Sequence, residues 1–229
     1  MSDDEVPEQF AQHRWERPAG STEIMLLRHG ASAAFVPGTA FPLVEGQGDP
    51  ALSPSGLQQA EASGIRLAVE PIAALYATSM QRTQQTVAPL AARLGLDVGI
   101  EPDLREVHLG EWEGGLLRQH AAADHPIYQR MHAEERWDVI PGAESNEEFG
   151  GRCMSALERI ADRHADELVL CTVHGGVIWV VLAQIAGSRQ FAFGGADNGS
   201  VSQIVRIDGA WTIRRFNDSS HLHDALHHG

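Results

Sequence analysis

The stretch Ile24-Met25-Leu26-Leu27-Arg28-His29-Gly30 runs through four apolar residues and ends abruptly in an arginine, a histidine and a glycine. A continuous apolar run bounded by polar residues predicts a strand buried on both faces of a sheet. Gly30 allows a sharp turn and a close approach by a ligand. In open α/β sheets, ligands bind at the carboxyl ends of the strands, so Arg28 and His29 are candidate site residues. By itself, the tripeptide fits a surface arginine and a loop histidine better than it fits a functional site.

The composition narrows the class of protein. The chain has 229 residues, enough for one large α/β domain. Its 17 basic and 31 acidic residues give a net charge of -14, which argues against non-specific binding to nucleic acid or to an anionic membrane. All 17 basic residues are arginines. The absence of lysine excludes a P-loop lysine and Schiff-base chemistry.

Two cysteines, Cys153 and Cys171, are too few for a disulfide framework or a zinc finger. We interpret both as small buried hydrophobic residues, which is typical of a reducing compartment. No apolar run is long enough to span a membrane, and the acidic first 20 residues lack the apolar core of a signal peptide. These features predict a cytoplasmic protein.

The pattern of apolar runs and turn residues predicts a flexible extension over residues 1–20, one domain over 21–218 and a loose, His-rich tail over 219–229. Strands and helices alternate along the domain, which predicts a three-layer α/β/α sandwich with a mostly parallel sheet. A final hairpin predicts an antiparallel edge. Ser53 and Ser79 are the expected N-caps of the first two helices, and Ser145 with Glu148 has the spacing of a capping box.

Three of the predicted strands end in polar groups of related chemistry. The first ends in Arg28 and His29, the second leads towards Arg82, and the fourth ends in His174. If the strands are parallel, these side chains converge on one crevice. Two guanidiniums suit a phosphate group, and a neutral imidazole is a competent nucleophile towards phosphorus. Glu106, in the loop after the third strand, is a candidate proton donor for a leaving oxygen.

With these residues in this order, the chain resembles the histidine phosphatase superfamily, the phosphoglycerate mutase-like proteins. Six segments carry the resemblance, and they extend over roughly residues 23–216: Leu27-Arg28-His29-Gly30; Leu52-Ser53-Pro54-Ser55-Gly56-Leu57-Gln58-Gln59-Ala60; Thr78-Ser79 with Arg82-Thr83 and Thr86; Leu104-Arg105-Glu106 with Gly110-Glu111-Trp112-Glu113-Gly114; Pro141-Gly142-Ala143-Glu144-Ser145; and Val173-His174-Gly175-Gly176.

The resemblance implies a role for each matching residue. His29 is the expected nucleophile and forms a phosphohistidine, while Arg28, Arg82 and His174 bind the phosphoryl group and stabilise its transition state. Glu106 is the expected proton donor and later the base for water. It implies a small-molecule phosphoester as substrate, inorganic phosphate as product, and no metal or organic cofactor.

The segment after Gly30 departs from the family pattern. The family usually has an acidic residue and Thr there, followed by an Asn that contacts the phosphate, whereas this chain has Ala31-Ser32 and then apolar residues. Ser32 is a candidate replacement for that contact, and the backbone of Gly175 is a further candidate at the start of the following helix. The apolar loop residues Phe35, Val36 and Phe41 could line a pocket for a less polar substrate, or simply pack onto the domain.

Four functions therefore stay open. The first is a cofactor-independent phosphatase of the histidine acid phosphatase type acting on a small phosphorylated metabolite. The second is phosphoglycerate mutase-type phosphoryl transfer, which is disfavoured because Arg105-Glu106-Val107-His108-Leu109-Gly110 stands where that branch has Asn-Glu-Arg-His-Tyr-Gly. The third is a catalytically weak phosphate-binding or regulatory module. The fourth is a metal-dependent hydrolase. The substrate and the oligomeric state, including a homodimer, are left open.

Overall fold

The structure is a computed structural model that describes residues 12–13 and 15–222. It contains eight strands within this range: β1 (Thr22–Arg28), β2 (Leu43–Val44), β3 (Gln47–Gly48), β4 (Ile72–Ala77), β5 (Val98–Ile100), β6 (Leu168–Val173), β7 (Val201–Ile207) and β8 (Ala210–Asp218). The helices of the same range are α1 (Pro54–Leu67), α2 (Gln81–Leu94), α3 (Leu116–Ala122), α4 (Pro126–Glu134), α5 (Asn146–Ala161) and α6 (Gly175–Ala186). None of these helices is both long and apolar enough to cross a bilayer.

Six strands form the main sheet in the order β5-β4-β6-β1-β7-β8. The pairs β4–β5, β4–β6 and β1–β6 are parallel, and β1–β7 and β7–β8 are antiparallel. The predicted mostly parallel sheet with an antiparallel edge is therefore confirmed. The three strands that precede the candidate site, β4, β6 and β1, lie side by side, so their carboxyl ends share one edge.

Strand β1 shows why both faces of the sheet are covered. Ile24 and Leu26 belong to the core cluster that includes residues of α5 and α6, whereas Met25 and Leu27 belong to the cluster that includes residues of α1 and α2. Because successive side chains of a strand point to opposite faces, an uninterrupted apolar run needs a helical layer on each side. Together these layers form the α/β/α sandwich.

The helix starts follow the predicted capping chemistry with one exception. Ser53 caps α1, and Ser145 with Glu148 forms the expected capping box at the start of α5. The prediction that Ser79 caps α2 is wrong, because the cap residue is Met80 and no side chain within the turn makes the capping bond. Asp49 from the distant loop takes this place, and its Oδ1 accepts the Gln81 amide at 2.9 Å.

The chain ends differ from their predicted behaviour where the structure describes them. Trp15 stacks on the Arg214 guanidinium at 3.8 Å, and Arg17 donates to the carbonyl of Asp166, so the end of the predicted flexible extension contacts the domain. Residues 219–222, predicted as loose, include a short 3-10 helix (Ser220–Leu222) whose Leu222 is fully buried. The remaining parts of both predicted segments, residues 1–11, 14 and 223–229, lie outside the described residues.

Residues 102–145, which we call the covering segment, lie over the carboxyl edge of the sheet. They contain α3, α4 and short 3-10 helices at Pro102–Leu104, Gly110–Gly115 and Trp137–Val139. Trp112, Met131 and Ile140 are buried and anchor this segment in the larger core cluster. Cys153 and Cys171 are fully buried, and burial raises the pKa of both thiols, as expected for unreactive core cysteines.

Candidate active site

The carboxyl ends of three adjacent strands bring the predicted residues together. His29 directly follows β1, His174 directly follows β6, and Thr78 directly follows β4. The imidazole rings of the two histidines lie edge to face with their centroids 5.1 Å apart. Gly30 lets the chain pass close to α1 directly after His29, since a Cβ at this position would lie 2.5 Å from the Gly56 carbonyl oxygen.

The hydrogen bonds of His29 determine which of its nitrogens can react. Its Nδ1 lies 2.7 Å from the Gly30 carbonyl oxygen. A carbonyl oxygen only accepts, so Nδ1 carries the proton and Nε2 holds a free lone pair. Burial lowers the pKa of His29 well below its ordinary value, and the Arg82 guanidinium lowers it further. The imidazole is therefore neutral and nucleophilic at Nε2.

His174 lies against His29 and is fully buried. Its Nε2 is 3.1 Å from the Thr78 hydroxyl, which in turn contacts the Thr83 hydroxyl at 2.9 Å. The other ring nitrogen, Nδ1, has no hydrogen-bond partner among the described residues. Burial, followed by the charge of Arg82, lowers the pKa of His174 well below its ordinary value. The second imidazole is thus also neutral, and its Nδ1 is buried without a partner in the described part of the chain.

Two guanidiniums, one buried and one partly buried, flank the histidines. Arg82 donates from Nη1 to the Gly48 carbonyl at 3.0 Å and lies 3.6 Å from Asp49. Arg28 donates to the Ala196 carbonyl, and its Nε has no partner in the part of the chain that the structure describes. Burial lowers the pKa of both arginines, but their ordinary value is so high that both stay charged. The pair forms a permanent positive site for an anion.

Glu106 is held at the same edge by the start of α6. Its Oε2 accepts the Gly176 amide at 3.1 Å, and its Oε1 accepts the Val107 amide at 3.0 Å. Its own carbonyl oxygen accepts from Gln47 Nε2 at 2.7 Å. These bonds fix the position of the carboxyl group relative to the helix.

The loop that carries Glu106 is fastened to α5 by Arg152. This guanidinium donates to the carbonyl oxygens of Asp103, Arg105 and Glu106 at 2.7–2.8 Å. It also forms a bidentate ion pair with Glu144, with hydrogen bonds of 2.7 and 2.9 Å. Five charge-assisted bonds from one side chain make this a rigid support for the candidate proton donor.

These groups line a cleft of about 220 Å³ between the sheet edge and the covering segment. Its walls include Arg28, His29, Arg82 and Glu106, while His174 lies behind them. The histidine phosphatase superfamily model (branch 1) matches residues 24–219 of the chain. The chain belongs to the histidine phosphatase superfamily.

Individual relatives of known name support the same family. The chain is 35% identical over 207 residues to phosphoglycerate mutase-like protein 4 of Arabidopsis thaliana, covering 88% of this chain and 87% of that protein. It is 33% identical over 205 residues to the metal-independent phosphoserine phosphatase of the same plant, covering 88% and 83%. The structure of a mycobacterial glucosyl-3-phosphoglycerate phosphatase matches with a TM-score of 0.72 at 27% identity, covering 87% of this chain and 100% of that one.

Ser32 and Gly175 are the two remaining residues that the sequence suggests as contacts for the phosphate. The Ser32 hydroxyl accepts a hydrogen bond from Arg118 Nη2 at 2.7 Å and lines a neighbouring cavity that also contacts His29. Gly175 is the first residue of α6, and a Cβ there would lie 3.3 Å from Arg28 Nε. Their binding roles stay predictions.

The three apolar loop residues lie in different environments. Phe41 lines the cleft, and Phe35 packs edge to face on it with ring centroids 5.7 Å apart. Val36 is 59% exposed and lines no part of the cleft.

Of the histidines in the covering segment, His120 and His125 pack around Trp112. Packing explains the positions of His120, His125 and Trp112, so none of these three side chains needs a catalytic role.

Several residues at the site are missed by sequence reasoning. Arg118 lines the cleft from α3, Gln47 lines it from β3, and Asn198 donates from Nδ2 to the His29 carbonyl at 2.9 Å. Asp49 contacts Arg82 and the start of α2, so it braces its loop against the site. Arg118 and Asn198 lie in no strand-end motif, so only the folded chain places them beside His29.

Proposed function

We propose that the protein is a cofactor-independent phosphomonoesterase that hydrolyses a small phosphorylated metabolite through a phosphohistidine at His29. One observation carries this proposal: a neutral, buried imidazole with a free Nε2 lies beside the permanent charges of Arg28 and Arg82. A nucleophile of this kind next to two guanidiniums suits attack on a phosphate monoester, whose charge would repel an anionic nucleophile.

In the first half-reaction, His29 Nε2 attacks phosphorus, and the bond from phosphorus to the ester oxygen breaks. Arg28 and Arg82 neutralise the charge on the three peripheral oxygens, and the unpartnered Nδ1 of His174 is available to a further contact. Glu106 in its acid form gives its proton to the departing oxygen, so the alcohol leaves neutral. The products of this step are the alcohol, the phosphohistidine and the Glu106 carboxylate.

In the second half-reaction, water attacks the phosphohistidine and the nitrogen–phosphorus bond breaks. The Glu106 carboxylate takes the proton of the attacking water, which restores its acid form. Inorganic phosphate leaves, and His29 regains its free lone pair at Nε2. All atoms and protons balance without a metal ion or an organic cofactor.

The acid phosphatase subtype is also part of the proposal. Burial and the charge of Arg82 hold the pKa of His29 well below its ordinary value, which favours the neutral, nucleophilic imidazole. We therefore expect kcat/KM to persist to a lower pH than it would with a histidine of ordinary pKa, which protonates and loses its lone pair sooner.

The first experiment measures phosphate release from p-nitrophenyl phosphate in the presence of EDTA. Wild type should turn over, His29→Ala should be inactive, and His13→Ala should match wild type because His13 is exposed and lines no part of the cleft. An alkaline quench during turnover should trap phosphate on His29, since phosphohistidine is labile in acid. Full activity of His29→Ala would contradict the assignment of His29 as the nucleophile. Loss of wild-type activity in EDTA would favour the metal-dependent alternative.

The same enzyme preparation separates hydrolysis from mutase activity. With 3-phosphoglycerate, a phosphatase releases inorganic phosphate, whereas a mutase forms the 2-phospho isomer with no net release. The named relatives include a phosphoserine phosphatase and a glucosyl-3-phosphoglycerate phosphatase, so a substrate panel begins with such compounds. Phosphate binding without any turnover would favour the regulatory module.

A further inference from the structure

Gln59 is a buried polar side chain on α1, within the segment 52–60 that carries part of the family resemblance. It lines no part of the cleft. Its Oε1 accepts the backbone amide of Ala31 at 2.8 Å. A buried amide side chain costs free energy unless its polar atoms are paired, so this bond determines where the side chain lies. It ties α1 to the chain two residues after His29.

The peptide group between Gly30 and Ala31 connects Gln59 to His29. Its N–H donates to Gln59 Oε1, and its C=O accepts from His29 Nδ1 at 2.7 Å. The peptide is trans, so its N–H and C=O point in opposite directions. When α1 fixes the N–H, it also fixes the direction of the carbonyl oxygen that holds the proton of His29 Nδ1.

The neighbouring peptide groups are held by other partners. The Gly30 amide donates to Thr86 Oγ1 at 3.0 Å, and the Ala31 carbonyl accepts from the amide and hydroxyl of Ser53 at 2.9 and 3.0 Å. Gln59 is the side chain that acts on the Gly30–Ala31 peptide itself. Because Gly30 lacks a Cβ, its backbone torsions offer little resistance to a rotation of this peptide when the bond to Gln59 is lost.

The direction of the Gly30 carbonyl matters because a neutral imidazole has two tautomers. A proton on His29 Nδ1 leaves the lone pair of Nε2 free to attack phosphorus, whereas a proton on Nε2 removes that lone pair. The bond from Ala31 to Gln59 also polarises the peptide, which strengthens its carbonyl oxygen as an acceptor. The chain of bonds from Gln59 to His29 therefore favours the reactive tautomer.

We propose that Gln59 is a positioning residue for the nucleophile, which sets the tautomer and the orientation of the His29 imidazole through the Gly30–Ala31 peptide. The proposal rests on the proposed phosphohistidine mechanism and adds to it a side chain outside the cleft. The guanidiniums of Arg28 and Arg82 bind an anion whichever tautomer His29 adopts. Gln59 should therefore affect the rate of attack and leave the affinity for phosphate unchanged.

The kinetic test uses Gln59→Leu, which removes the acceptor and keeps a side chain of similar size. With p-nitrophenyl phosphate, kcat/KM should fall roughly 10- to 100-fold, the range expected for a misplaced reacting group. The inhibition constant of inorganic phosphate should stay within about threefold of wild type, because both guanidiniums remain. Gln59→Glu keeps an acceptor oxygen and should recover most of the rate.

Gln85→Leu is the matched control. Gln85 on α2 makes a bond of the same kind and length, since its Oε1 accepts the Leu52 amide at 2.8 Å. That amide belongs to no peptide group that contacts His29. Gln85→Leu should lose a similar amount of stability in urea titrations and keep the wild-type kcat/KM, which separates positioning of His29 from general support of the fold.

NMR spectra of protein labelled with ¹⁵N in the imidazole rings measure the tautomer without any substrate. His29→Ala identifies the His29 signals among those of the 12 histidines. Wild type and Gln85→Leu should carry the proton of His29 on Nδ1, and Gln59→Leu should populate the tautomer with the proton on Nε2.

Two results would overturn the proposal. One is a Gln59→Leu protein in which His29 keeps its proton entirely on Nδ1. The other is an equal loss of kcat/KM in Gln59→Leu and Gln85→Leu, which would assign the loss to general loosening of the fold. Failure of the phosphatase function gives a different result, namely no turnover of p-nitrophenyl phosphate by wild type. The NMR comparison then still decides whether Gln59 sets the tautomer of His29.

Discussion

Gly176 places the backbone of α6 directly against the carboxyl group of Glu106. A Cβ at this position would meet Glu106 Oε1 at 2.3 Å and Cδ at 3.1 Å. An ordinary contact of this kind needs a separation of roughly 3.5 Å, so the carboxyl group must retreat by about 1 Å. Gly176→Ala therefore moves the proposed proton donor without changing its chemistry.

The stability of Gly176→Ala should stay close to that of wild type. Gly176 has an ordinary helical conformation, and alanine in a helix is favoured over glycine by about 0.5–1 kcal/mol. The hydrogen bond from the Gly176 amide to Glu106 contributes a similar amount, about 1 kcal/mol, and the retreat of the carboxyl group weakens it. The two effects nearly cancel in the free energy of unfolding.

The catalytic effect should depend on the leaving group. A misplacement of about 1 Å costs on the order of 100-fold, and a proton donor contributes about 10²- to 10⁴-fold in rate. We expect kcat/KM for an alkyl phosphate such as phosphoserine to fall about 100-fold, because its alkoxide is a poor leaving group without a proton. The p-nitrophenolate ion needs little protonation, so kcat/KM for p-nitrophenyl phosphate should fall only severalfold.

The assay uses kcat/KM because this constant reports the steps through formation of the phosphohistidine, in which the proton is donated. Glu106→Gln should reproduce the same dependence on leaving group. Gly151→Ala is the matched control, since a Cβ at that helical glycine meets nothing within 4 Å. It should gain about 0.5–1 kcal/mol in stability and keep full activity. An equal loss of kcat/KM with both substrates in Gly176→Ala would refute the assignment of Glu106 as proton donor.

Three further predictions concern the supports of the site. Arg152→Met should lower the free energy of unfolding by about 2–4 kcal/mol in urea titrations, because the loop that carries Glu106 loses its hydrogen bonds to α5. For the same reason it should reduce kcat/KM for alkyl phosphates more than for aryl phosphates. Gly56→Ala should cost about 1–3 kcal/mol, measured by the urea midpoint, since its Cβ would lie 1.9 Å from the Ala31 carbonyl oxygen. The low pKa of His29 in the folded state means that the unfolded chain binds more protons below about pH 6.5, so stability should fall as the pH drops below that value. His29→Gln should show a weaker loss between pH 7.5 and pH 5 in thermal melts, and an unchanged pH dependence would contradict this origin.

The elements that sequence reasoning predicts well are those specified by local patterns. The apolar run before Arg28, the cap at Ser53 and the capping box at Ser145 each depend on residues within a few positions of one another. The prediction failed at Ser79, because the group that accepts the amide at the start of α2 is Asp49, more than thirty residues earlier in the chain. A long-range cap leaves no signature in the local sequence.

The same limit of local sequence patterns applies to the charged residues of the candidate site. Sequence motifs single out Arg28 and Arg82, but Arg118 and Arg152 stand among 17 chemically identical arginines. Their roles depend on what their guanidiniums contact. Arg152 fastens a loop through three carbonyl oxygens and Glu144, a combination that requires residues 103–106, 144 and 152 to meet in space.

The contacts of the arginines separate those at the cleft from most others in the described chain. Arg28, Arg82 and Arg118 are each anchored by a backbone carbonyl oxygen, and only Arg82 has a carboxylate within 4 Å. Most arginines away from the cleft pair closely with Asp or Glu, for example Arg66 with Glu70. A carbonyl oxygen fixes a guanidinium while leaving its full charge to a ligand, whereas a carboxylate cancels that charge. In a chain with a net charge of -14, this choice of anchor concentrates positive charge at the cleft in which we propose that a phosphate ester binds.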